Sequence, residues 1–148
     1  KPAEESLKRL KKIFGDRLYI ELQRHGWTEE DQVEPALIDL AYKHEVPLVA
    51  TNDCYFPKQS MHEAHDALLC IAEGRYVTEE DRRKVTPEHY FKSPREMTKL
   101  FEDVPEAINN TMVIAQRCSF FFFFVDPMLP PFETEGDNTG VDELKAQA

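Results

Sequence analysis

Glycine is scarce in this chain, five in 148 residues. A phosphate-cradling loop needs several of them close together, so a P-loop or dinucleotide-binding turn is excluded. There is no Gly-x-Ser-x-Gly string either, which removes the nucleophile elbow. Cys54, Cys70 and Cys118 are the three cysteines, widely spaced and without a Cys-x-x-Cys pair. That pattern suggests neither a zinc site nor a disulfide framework and fits a reducing, cytoplasmic setting. No apolar run approaches the ~20 residues of a membrane span. Basic residues are outnumbered 18 to 28, and the resulting net charge of −10 opposes gripping nucleic acid by bulk charge. The chain opens at Lys1 with neither Met nor signal peptide, and is expected to be an excised part of a larger protein.

What is present is core material: 41% hydrophobic residues, including ten phenylalanines. Wholesale disorder is therefore not expected. Glu4 to Phe14 predicts a helix, with Leu7, Leu10, Ile13 and Phe14 on one stripe and Gly15 at its end. Leu18 to Gln23 predicts a strand, and Val46 to Asn52 a strand buried on both faces. Between them, Pro35 to His44 reads as a helix with Pro35 in its first turn and Ala36, Leu37, Leu40, Ala41 and His44 inward. Strand, helix, strand in this order predicts an α/β fold with parallel strands and a helical crossover. Further helices are expected over Lys58 to Glu73, with Ala64, Leu68, Leu69 and Ala72 inward. Others follow Ser93, where Glu96 completes a capping box, and run from Pro105 to Arg117 with Ala107, Ile108, Met112 and Ala115 inward. From Ser119 no periodicity remains: five phenylalanines, Phe120 to Phe124, lead into DPMLPPF and a polar tail.

Few residues invite chemistry. His62, Glu63 and His65 resemble a zincin start, but that motif needs its histidines four apart, and the fourth position here is Asp66. They read as surface or packing residues. Asp53 stands at the carboxyl end of the second strand, where α/β folds place ligands and metals. It could equally cap a local turn with Asn52. His25 ends the first strand and is positioned to lie beside Asp53. A metal needs three or more ligands, which these strand ends do not supply.

Four strings are distinctive together: LYIELQRHG, PLVATNDCYF, EAHDALLCIAEGR and TPEHYFKSPREMTKLFEDVPEAINNTMVIAQRC. In order and spacing they resemble the bacterial DNA polymerase III α subunits, the C-family replicative polymerases. The stretch resembled is the later part of their N-terminal PHP (polymerase and histidinol phosphatase) domain and the helices after it. The resemblance implies a distorted β/α barrel with metal ligands at strand ends. It divides the chain into 1–57, the end of the PHP-type unit, 58–118, a helical segment, and 119–148, a partly flexible connector toward the palm. Members with an intact site carry an early His-x-His, which lies outside this chain, and a late Asp-x-His. Here the late motif is Asp53-Cys54-Tyr55, and a phenol stays protonated at neutral pH and ligates zinc poorly. Asp53 is thus expected to be a vestigial metal ligand, with His25 and Tyr55 near it, and no catalytic residue in this stretch.

No cofactor is expected in these 148 residues. The resemblance implies Mg²⁺ for the whole polymerase, and zinc or manganese only where the PHP site is intact. Implied partners are the other polymerase III subunits, the proofreading exonuclease among them. DNA is expected to be held by the whole enzyme rather than by this acidic part, and no membrane is involved. The open strand edges and the Phe120–Phe124 run predict self-association of the isolated chain. Two alternatives have discriminating features. A metal-dependent phosphoesterase or 3′–5′ exonuclease needs His where Tyr55 stands. An independent acidic helical interaction module has no use for the buried-type strand at Leu48 to Thr51.

Overall fold

The computed structural model describes residues 2–128 and 139–148. The order is α1 (Pro2–Phe14), β1 (Ile20–Leu22), α2 (Thr28–Lys43), β2 (Leu48–Ala50), α3 (His62–Glu73), α4 (Pro94–Leu100), α5 (Pro105–Arg117) and α6 (Gly140–Gln147). Short 3-10 turns precede β1 and α3. The fold is α/β, as the alternation of elements implies.

β1 and β2 pair in parallel, Ile20 with Leu48 and Leu22 with Ala50, and α2 makes the crossover. Each strand is shorter than its apolar run. The ladder nevertheless continues by one bond at each end, from the Ile20 amide to the Pro47 carbonyl (2.9 Å) and from the Thr51 amide to the Leu22 carbonyl (3.1 Å). In this alternation Leu48 and Ala50 turn their backbone groups away from β1. The Leu48 carbonyl is met there by the Asn110 side-chain amide of α5, at 2.8 Å. Ile20 and Leu22 face the core, whereas Glu21 between them is exposed; all of β2 is buried. The core unites Leu22, Ala41, Leu48 and Ala50 with Phe101, Val104 and Ala107, so strands, α2 and the α4–α5 corner share one interior.

Helix boundaries follow local chemistry. α2 starts at Thr28, seven residues before Pro35, so the first-turn assignment of that proline is corrected. The start is fixed by Glu30, whose carboxylate accepts the Trp27 amide at 3.3 Å and so closes the first turn. Pro35 sits inside the helix on its exposed side, as does Asp31 four residues before it, where water can serve the carbonyl that a proline leaves without a donor. α4 has the expected capping box, Ser93 Oγ accepting from the Glu96 amide (3.3 Å) while the Glu96 carboxylate accepts from the Ser93 amide (2.8 Å). α3 ends at Gly74, whose φ of +63° opens the left-handed cap, and the Arg75 amide closes back on the Cys70 carbonyl at 2.9 Å. α6 lies in the tail where no periodicity is visible. Its signal is short and polar, Thr139 and Asp142 forming a reciprocal capping box.

Several expected inward faces are corrected. In α1 only Leu7 is buried, while Leu10, Ile13 and Phe14 are exposed. Ala36 of α2 is exposed and Ile38 is half-buried instead. In α5, Met112 and Ala115 face outward, and Asn110, Thr111 and Ile114 take the half-buried positions with Ala107 and Ile108. α3 departs in part: Ala64, Leu68 and Ala72 are exposed, Leu69 is half-buried as expected, and Cys70 is its buried residue. The Phe120–Phe124 run and Val125 are exposed, and the second half of DPMLPPF, with the polar residues to 138, lies outside the described residues. No helix among the described residues is long and apolar enough to cross a membrane.

Candidate functional site

The chain leaves β1 through Gln23, Arg24 and His25, and leaves β2 through Asn52, Asp53 and Tyr55. Because the strands are parallel, these two exits lie side by side. A third segment, 86–91, is tied across them: the Tyr55 amide donates to the His89 carbonyl (2.9 Å) and the Phe91 amide to the Phe56 carbonyl (3.0 Å).

His25 is the hub. It is 2% exposed, and its ring Nδ1 lies 2.8 Å from Glu30 Oε1. Its Nε2 accepts the Asp53 amide at 3.2 Å, which requires the proton on Nδ1, donated to Glu30. The His25 amide donates to the other Glu30 oxygen (2.6 Å), and Thr86 Oγ1 donates to the His25 carbonyl (2.6 Å). The His25 ring stacks on His89, itself 5% exposed, with centroids 4.0 Å apart and 13° from parallel. The Tyr55 ring stands 5.5 Å from His89 and 5.5 Å from His65. His25 and Asp53 are therefore brought together as expected, but through the Asp53 backbone; the Asp53 residue is exposed.

Charge follows from these contacts. Burial alone would raise the Glu30 carboxyl, but bonds from the His25 ring and from the His25 and Trp27 amides outweigh it and hold Glu30 below the usual carboxylate range. Burial pushes the His89 imidazole down, and the neighbouring His25 adds to the effect. Arg24, next in sequence, grips Glu34 (2.6 Å) and Asp103 (2.7 Å) and lies 4.6 Å over the ring of fully buried Phe101. Asn52 donates to the Tyr90 carbonyl (2.7 Å) and accepts from the buried Lys92 (3.3 Å).

These residues do not fit a zinc or manganese cage. Both His25 nitrogens are committed within the protein, Tyr55 offers a phenol, and Asp53 contributes one carboxylate. Among the described residues no three His, Cys, Asp or Glu side chains converge as candidate ligands. The His62–Asp66 string is likewise used in packing. His62 Nε2 donates to the Val85 carbonyl (2.8 Å), His65 lies against Phe56, and Asp66 pairs with Arg82 through two bonds of 2.5 and 2.7 Å. What the arrangement can do is hold two strand exits, the start of α2 and the 86–91 segment together through one neutral imidazole. Glu30 had a sequence signal, its place three residues after Trp27 at the helix start. His89 had none, because its proximity to His25 depends on the chain folding back over 64 residues.

No protein-family profile matches the chain. Curated relatives do. It is 51% identical over 146 residues, 99% of this chain, to the DNA polymerase III subunit alpha of Caulobacter vibrioides. To the proteins of the same name from Rickettsia bellii and Pseudomonas aeruginosa it is 47% and 39% identical, again over 99% of the chain. This chain belongs to the DNA polymerase III α subunit family. It spans 13% of the Caulobacter α subunit and 12% of the other two. The similarity to the α subunits thus embraces strands, helices and tail alike, as one continuous segment.

Proposed function

We propose that the chain is a structural segment of a replicative DNA polymerase III α subunit, the later part of a PHP-type unit with the helices that follow. On this reading residues 1–57 end a distorted β/α barrel, 58–118 form the helical continuation and 119–148 connect toward the palm. The whole protein is a DNA-directed DNA polymerase working with Mg²⁺, its catalytic centre outside these residues. Asp53 is a vestige of a metal site, with His25 and Tyr55 turned to structural use, and the surface serves to dock other polymerase III subunits such as the proofreading exonuclease. The observation that carries the structural role is the occupation of His25 Nε2 by the Asp53 amide, where a metal ligand would need a free lone pair. The same bond speaks against the phosphoesterase reading. The buried parallel strand β2 speaks against a free helical module.

Full-length α subunit with Asp53→Ala or His25→Ala tests this. Asp53→Ala is expected to leave zinc and manganese content and primer extension unchanged, and His25→Ala to lower the melting temperature. Stoichiometric metal that is lost with Asp53→Ala would overturn the structural reading.

A further inference from the structure

α3 turns apolar side chains outward, against the usual pattern of a surface helix. Its inward side is mixed: His62 bonds the Val85 carbonyl, Asp66 pairs with Arg82, Ala67 and Leu69 are half-buried, and only Cys70 is fully buried. The outward side is apolar. Met61, Ala64, Leu68, Ile71 and Ala72 fall within about one third of the helix circumference, opposite Asp66 and Cys70. Leu68 is 62% exposed and Ile71 is 77% exposed. No charged residue interrupts this stripe before Arg75. Met61, Ala64, Leu68 and Ile71 follow the three-four-three spacing of a helix-packing seam, with small Ala64 and Ala72 permitting close approach.

A seam without charge at its centre has the composition of an obligate contact, not of a transient one. The polymerase relatives are about eight times longer than this chain, since it covers 12–13% of each. We infer that the α3 stripe is an intramolecular interface, covered in the whole α subunit by an apolar helix face from the same polypeptide outside these 148 residues. This inference rests on the proposed assignment to the α subunit.

The test uses the full-length protein. Leu68→Cys and Ile71→Cys are made singly, and maleimide labelling is followed by peptide mass mapping against Glu80→Cys, a position whose side chain is 96% exposed. Burial under a packed helix predicts labelling at least about tenfold slower at 68 and 71 than at 80, since a packed face must open before reagent reaches it. Labelling of all three at one rate overturns the inference. So does labelling that is fast in the lone subunit and slows only when the other subunits are added, because the cover is then a partner chain. Primer extension by the same preparations checks the underlying assignment independently: its absence from the unsubstituted protein defeats that assignment, whereas fast labelling in an active protein defeats only the interface.

Discussion

His25 and His89 lie face to face, two buried imidazoles from segments that stand 64 residues apart in the sequence. A charge on the His89 ring is opposed by its burial and by the neighbouring His25. His89 has its pKa depressed below the ordinary 6.5, first by burial and then by His25. The unfolded chain therefore takes up this proton first as pH falls. The stabilisation is fully present above 6.5 and is lost as pH drops through the folded-state value. Thermal melts from pH 8 to pH 5 should show the unsubstituted chain losing more stability below pH 6.5 than His89→Phe, which keeps an aromatic ring but cannot titrate. Parallel melting curves for the two proteins would contradict this.

Asn110 is the donor that satisfies an outward carbonyl of β2. Its replacement by Ala leaves the buried Leu48 carbonyl without that partner, at a cost of about 1–3 kcal/mol. Asn110→Asp should be at least as damaging, because a carboxylate only accepts. Urea denaturation of the two variants measures both. An unchanged midpoint would mean that water replaces the bond at no cost.

The Arg82-Arg83-Lys84 cluster is a local basic patch on an acidic chain, yet two of its members are already paired. Arg82 is held by Asp66 at 2.5 Å and Lys84 by Glu80 at 3.1 Å. We expect no measurable binding of primed duplex DNA by these 148 residues at physiological salt. A fluorescence anisotropy titration that saturates and weakens with salt would refute it.

Five adjacent phenylalanines stand exposed after α5, uncharged and free of proline. Such a segment favours pairing between chains. The isolated chain should show a mass that rises with concentration in light scattering. Phe121→Lys with Phe123→Lys should return it to that of a single chain. A concentration-independent monomer before substitution would rule out this role for the run.

Much of the fold is legible in the sequence because it is encoded locally. Ser93 with Glu96, Pro105 as a helix opener and Gly74 as a left-handed cap each act within a few residues. The two apolar runs gave the parallel pair, and His25 and Asp53 fell beside one another because both leave parallel strands at the same end. What stayed hidden depends on distant partners. A helical stripe shows which residues lie together, not which side meets this chain's own core. That is why Leu68 and Met112 read as interior and stand outside, and why Pro35 reads as a helix start although Glu30 sets that start seven residues earlier. The stack of His89 on His25 left no trace in spacing or composition.

The 62-residue gap between Leu48 and Asn110 also has a temporal meaning. A ribosome adding ~5–20 residues per second needs about 3–12 s to make that interval. The same delay separates the emergence of β2 from that of Asn110, and until it ends the outer edge of β2 lacks the side chain that finishes it. The nascent chain is most vulnerable to pairing with a stranger during those seconds, so slow decoding between β2 and α5 is where yield of correctly folded protein should suffer first.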